Sequence, residues 1–75
     1  MKLSDFIDGL KTLQPYYDGG DGYHIGAEHD QFYAYKTDKP LTLEDVQKMR
    51  ELGWFQPNQG YGAEYNTEAS WSAFT

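Results

Sequence analysis

The apolar residues of this chain fall into two helical stripes separated and followed by segments with strand-like alternation. Leu3, Phe6, Ile7, Leu10 and Leu13 recur at helical spacing, and Pro15 stops the run. With Ser4 as N-cap, residues 4 to 14 are predicted to form a short amphipathic helix, weakened by Gly9. Its polar face carries Asp5, Asp8, Lys11 and Gln14, the two carboxylates lying near the N-terminus where the helix dipole favours them.

Residues 15 to 22 read Pro-Tyr-Tyr-Asp-Gly-Gly-Asp-Gly, which is turn chemistry, so a loop with two adjacent tyrosines follows. Two alternating segments, 23 to 28 and 31 to 36, flank the polar pair His29-Asp30 and predict a β-hairpin. Tyr23, Ile25 and Ala27 share one face of the first strand, and Phe32 and Ala34 are the inward residues of the second. Tyr33 and Tyr35 then point away from the core.

A second helix is predicted over residues 42 to 52. Thr42 and Asp45 form a start resembling a capping box, Leu41 and Val46 occupy staple positions, and Gly53 supplies a left-handed C-cap. Leu43, Val46, Met49 and Leu52 make its apolar stripe, to be laid on a sheet. Trp54-Phe55-Gln56 opens a third strand, ended by the turn formers of residues 57 to 62, and residues 70 to 75 alternate large and small as a terminal strand. The order α-β-β-α-β-β predicts an α+β domain: an antiparallel sheet of three to four strands with two helices packed on one face. Length bounds it to one domain, residues 1 to 75.

Composition changes the picture in two ways. Seven Tyr, four Phe and two Trp stand in 75 residues, and twelve Asp or Glu oppose six Lys or Arg, a net charge of −6. Phe6, Ile25, Phe32, Trp54 or Phe55, and Trp71 or Phe74 are assigned to the core, because a small domain needs its largest side chains for burial. The surplus is tyrosine: Tyr16, Tyr17, Tyr33, Tyr35, Tyr61 and Tyr65 exceed what one small core takes in. Tyr beside Asp, Asn and Gly is the chemistry of adaptable contact surfaces, so Tyr16, Tyr17, Asp18, Asp21, Tyr33 and Tyr35 are the candidate partner-binding residues.

The acidic balance repels phosphate backbones and anionic lipid, which argues against direct nucleic-acid binding and favours a protein partner with a basic surface. The apolar segments are too short for a signal peptide or membrane span, and cysteine is absent, so a cytoplasmic location is expected and disulfide stapling is excluded. Oligomerisation, as a homodimer, is the remaining route to extra stability.

No catalytic, cofactor or metal site is read from the residues. His24, Glu28, His29 and Asp30 include the donor types of a transition-metal site, but His24 and Glu28 lie about 13 Å apart along a strand, and the two His fall on opposite faces. Asp18, Asp21, Glu28 and Asp30 lack the ligand spacing of a calcium loop. Gly19, Gly20 and Gly22 follow a helix and sit among aspartates, the reverse of a phosphate loop. Ser70, Ser72 and His24 have no spacing that defines a nucleophile and its base. An enzyme is therefore not expected.

The stretch from Pro40 to Trp54, Pro-Leu-Thr-Leu-Glu-Asp-Val-Gln-Lys-Met-Arg-Glu-Leu-Gly-Trp, with the Trp71-bearing terminal segment and Tyr23-His24-Ile25-Gly26, resembles small uncharacterised proteins of bacteriophages and prophages. The resemblance implies a compact phage-type accessory protein, a class that includes acidic inhibitors of host defence nucleases, and brings no catalytic residues with it. The expected function is a non-enzymatic protein-binding module. The alternative is a structural or assembly accessory acting as a homo-oligomer.

Overall fold

A computed structural model describes residues 1–19, 22–57 and 64–74. Helix α1 (Leu3–Leu13) runs into a single 3-10 turn (Gln14–Tyr16), followed by strands β1 (Ile25–Glu28) and β2 (Gln31–Ala34), helix α2 (Leu43–Glu51) and strand β3 (Trp71–Phe74). The strands form one antiparallel sheet of order β1-β2-β3 with both helices on one face, the small α+β fold expected.

The best-formed element is α2, because its ends are fixed by local chemistry. The Thr42 hydroxyl accepts the Asp45 backbone N–H at 3.2 Å. Asp45 does not close the box directly. Its carboxylate accepts the Tyr16 hydroxyl instead, and that hydroxyl receives the Thr42 N–H at 3.4 Å, so a tyrosine from the preceding turn relays the cap. Leu41 and Val46 are both buried, as a hydrophobic staple requires. At the other end Gly53 adopts φ 93°, and the Trp54 and Gly53 N–H groups bond to the carbonyls of Met49 and Arg50 at 3.0 and 3.1 Å. These two bonds make a Schellman motif, and they deliver Trp54 directly into the core.

Helix α1 starts earlier than expected. Ser4 is not its cap: Lys2 is the extended N-cap residue without a side-chain bond, and the first helical bond runs from Phe6 N–H to the Lys2 carbonyl at 3.0 Å. In β1 and β2 the register Ile25↔Ala34 to Glu28↔Gln31 closes a hairpin on His29 and Asp30, with His29 at φ 44°. The strands are shorter than predicted, and Tyr23 lies outside them, fully exposed. The third predicted strand is reduced to one bridge, in which Phe55 and Ser72 exchange both backbone bonds at 2.9 and 2.6 Å.

The core consists of Leu13, Tyr17, Ala34, Leu41, Val46, Met49, Trp54, Trp71 and Ala73, with Phe6, Leu10, Tyr16, Leu52 and Tyr65 packed around it. Phe6 holds the helix layer to the sheet, its ring 5.2 Å from Phe32 and 5.7 Å from Trp54. Two expected core positions are corrected. Leu43 begins α2 on its solvent side and is 82% exposed, and Ile25, although on the helix-facing side of β1, is 50% exposed because an open cleft separates it from α1. The alternatives left open by adjacent aromatics resolve as Trp54 and Trp71 inside, with Phe55 half-buried and Phe74 exposed.

Gln56 fixes the segment before β3. Its buried amide donates to the Asn66 carbonyl at 2.7 Å and accepts the Asn66 N–H at 3.0 Å, pinning residues 64–69 beside the bridge. Nearby, Tyr65 accepts the Leu41 N–H at 3.1 Å and stacks on Trp71.

Candidate functional site

Alternation along the paired strands sorts the sheet into two faces. Ala34, Trp71, Phe32 and Ala73 pair on the helix side, so the alternating residues Tyr33 and Ser72, which pair with each other, belong with Gly26 and Phe74 to the outer side. Phe55 joins the outer side through its bridge to Ser72. Tyr33 and Tyr35 meet there with ring centroids 5.8 Å apart, and Phe55 meets Phe74 at 4.9 Å. The result is an aromatic face, half-buried at Tyr33 and Phe55, with Tyr35 and Phe74 48% and 57% exposed. Beneath these rings Ser72 is buried.

Gly26 makes room for this arrangement. A Cβ at that position would fall inside the Tyr33 ring, so the absence of a side chain lets Tyr33 lie flat across β1. The Tyr33 hydroxyl reaches Glu28 at a long 3.5 Å. Loss of hydration, then the Glu28 charge and the neighbouring Tyr35, raise the Tyr33 pKa above its ordinary value, so the phenol stays neutral and available as a donor.

The six predicted contact residues do not form one surface. Tyr33 and Tyr35 are brought together as expected. Tyr17 is not exposed: it is 7% accessible, its hydroxyl donates to the Tyr35 carbonyl at 2.5 Å, and its ring stacks on His24 at 4.2 Å. Tyr16 is half-buried and committed to the α2 cap. Asp18 is exposed, in a polar cluster where its N–H donates to Asp38 at 2.7 Å and its carboxylate faces Lys39 at 3.6 Å. Asp21 and Tyr61 lie outside the described residues. Phe55 and Phe74 are the members of this aromatic face that sequence reasoning missed. The available signal was parity, since only one of two consecutive strand residues can face the core.

Burial of the Tyr17 phenol, with Asp38 adding its negative charge, pushes its pKa from 10.0 up to about 12. A phenol that ionises less readily folded than unfolded stabilises the fold fully below the unfolded value and loses that contribution as pH rises through the folded one. Stability is therefore expected to fall between about pH 10 and about pH 12. Urea melts across that window check this, and Tyr17→Phe should flatten the decline. An equally steep decline in the variant would assign the effect to other groups.

The two histidines of the cluster weighed for metal have separate settings. His24 stacks on Tyr17, and His29 occupies the left-handed corner of the hairpin. Among the described residues no group of three or more His, Cys, Asp or Glu side chains is gathered for an ion, and no helix is long and apolar enough to cross a membrane. No protein-family model, curated protein or solved structure matches the chain.

Proposed function

We propose that this chain is a non-enzymatic protein-binding module that grips a basic partner with the outer face of its sheet. The observation that carries the reading is the grouping of Tyr33, Tyr35, Phe55 and Phe74 on the face away from α1 and α2, in a chain of net charge −6. Stiff aromatic side chains bury large area at little entropic cost, and the excess of carboxylates, with Glu28 beside Tyr33, steers association with positive surfaces. In its finer form the proposal is inhibition: an acidic protein seated on the basic groove of a nucleic-acid-handling protein excludes the nucleic acid by charge and by volume. This agrees with the resemblance to phage accessory proteins.

The test uses the purified chain as bait in a bacterial lysate and then measures affinity for the captured partner across a salt series. Tyr35→Ala and Phe74→Ala are expected to weaken binding by about tenfold or more, as removal of interface anchors does. Glu28→Gln and Asp18→Asn are expected to act chiefly on association rate and salt dependence. Full affinity in both aromatic variants, or binding indifferent to salt, would overturn the reading.

A further inference from the structure

The sheet has two edges, and they differ. On β3, Ser72 is bonded through both backbone groups to Phe55, which covers that edge at its middle. On β1, β2 takes one side and, among the described residues, no strand takes the other. The register shows which groups remain unused. Antiparallel partners alternate between pairs that exchange bonds and pairs that do not. Tyr35 N–H donates to the His24 carbonyl at 2.8 Å, so His24, Gly26 and Glu28 turn toward β2, while Ile25 and Ala27 turn their N–H and C=O groups outward.

The surroundings of that edge are apolar. Ile25 and Ala27 lie exposed on the helix side, and α1 carries Leu3, 73% exposed, and Ile7, 40% exposed, one turn apart on one flank. Between α1 and β1 runs an open cleft of about 300 Å³ whose walls include Ile7, Leu10, Ile25 and Ala34. Ile25-Gly26-Ala27 has none of the charges or prolines with which edge strands discourage pairing.

We propose that β1 is the edge through which two copies of this chain pair. The strands run antiparallel about a two-fold axis at Gly26, with Ile25 opposite Ala27 of the partner subunit and Ala27 opposite Ile25 of the partner subunit. Both pairs are of the bond-exchanging kind, so four backbone hydrogen bonds join the two sheets into one of six strands. The axis stands perpendicular to the sheet and brings the two α1 helices to the same side, Leu3 and Ile7 flanks facing each other above the paired edge.

A second copy is the occupant because the edge is its own complement. Its outward groups are spaced symmetrically about a residue without a side chain, and the exposed apolar flank of α1 needs a partner carrying its own layer above the sheet. An extended peptide would satisfy the backbone and leave that flank uncovered. A stable interface takes about 800 Å² from each partner, so the helix flank must contribute along with the short edge.

Sedimentation equilibrium from about 1 μM to about 1 mM measures the association. The expected result is a concentration-dependent rise from the 8.6 kDa chain to twice that mass. Added salt should tighten it, since two chains of net charge −6 repel, whereas salt should weaken binding to a basic partner. Ala27→Pro removes an outward N–H and spares the β1–β2 bonds, and Ile25→Lys places a charge in the interface. Each is expected to weaken association about tenfold or more while circular dichroism stays unchanged. The chain has no cysteine, so mixing Ile25→Cys with Ala27→Cys tests the register: paired Cα atoms about 5.5 Å apart lie within disulfide reach, and the mixture should cross-link faster than either variant alone. A monomer at every concentration would overturn the proposal and leave the edge to a strand of another protein. So would a dimer unaffected by Ala27→Pro and Ile25→Lys. Neither outcome bears on Tyr33, Tyr35, Phe55 and Phe74, whose partner-binding test stands apart.

Discussion

Trp71→Ala is expected to lower stability by about 3–5 kcal/mol. The indole is 1% exposed, lies opposite Ala34 in the sheet, and stacks on Tyr65 with ring centroids 6.0 Å apart. Its removal leaves a cavity where β3, the segment carrying Tyr65 and the helix layer converge. Tyr65 also holds the Leu41 N–H, so loss of the stack loosens the entry to α2. A chain of this length is typically stable by roughly 4–11 kcal/mol at about 0.05–0.15 kcal/mol per residue, and the variant would lose a large share of that. Phe74→Ala supplies the contrast. Three residues along the same strand but on the outer face, it should cost less than about 1.5 kcal/mol, because much of its surface is already in water. Urea denaturation of both variants, with Trp71→Phe as a milder substitute if the alanine variant does not fold, decides the point. Equal costs would mean that the strand is turned over.

The contrast also marks where sequence reading succeeded and where it stopped. The cap at Thr42, the staple of Leu41 on Val46 and the left-handed Gly53 were legible because each is a contact among residues close in the chain. The hairpin on His29-Asp30 was legible for the same reason. Choosing between Trp54 and Phe55, or Trp71 and Phe74, required knowing the parity of the bridge at Ser72, which depends on residues distant in sequence. Ile25 was assigned to the correct face, yet its depth depends on how far α1 reaches over β1, a tertiary quantity with no local signal.

The tyrosines carry the main lesson for the site. Tyr16, Tyr17 and Tyr65 looked surplus because polar, turn-forming neighbours suggested a surface, but each uses its hydroxyl inside the fold: on the α2 cap, on the Tyr35 carbonyl and on the Leu41 N–H. A phenol can be packed as an aromatic and satisfied as a donor or acceptor at once. That leaves Tyr33 and Tyr35 as the pair from the sequence-based set on the outer face, and the aromatic surface is completed by phenylalanines instead.

Gly9→Ala is expected to destabilise the protein by about 1–3 kcal/mol, against the usual preference of a helix for alanine. From sequence, Gly9 is a weak point in α1, where alanine should add up to about 1 kcal/mol. Packing reverses the sign. A Cβ on Gly9 would lie inside the Trp54 indole, which is buried, stacked on Phe6 at an interplanar angle of 16°, and bonded through its N–H to the Asp5 carbonyl at 3.4 Å. Such a ring cannot swing away as an exposed side chain would, so α1 must shift outward or the stack must open. The effect of Gly9→Ala therefore depends on Trp54. With Trp54→Leu the indole is gone, and the same substitution should become neutral or stabilising by a few tenths of a kcal/mol to about 1 kcal/mol as helix propensity reasserts itself. A double-mutant cycle from urea melts of the four proteins measures this coupling, expected at about 1–3 kcal/mol for side chains in direct contact. If Gly9→Ala stabilises equally in both backgrounds, α1 does not rest on the indole, and the close approach of Gly9 to Trp54 is wrong.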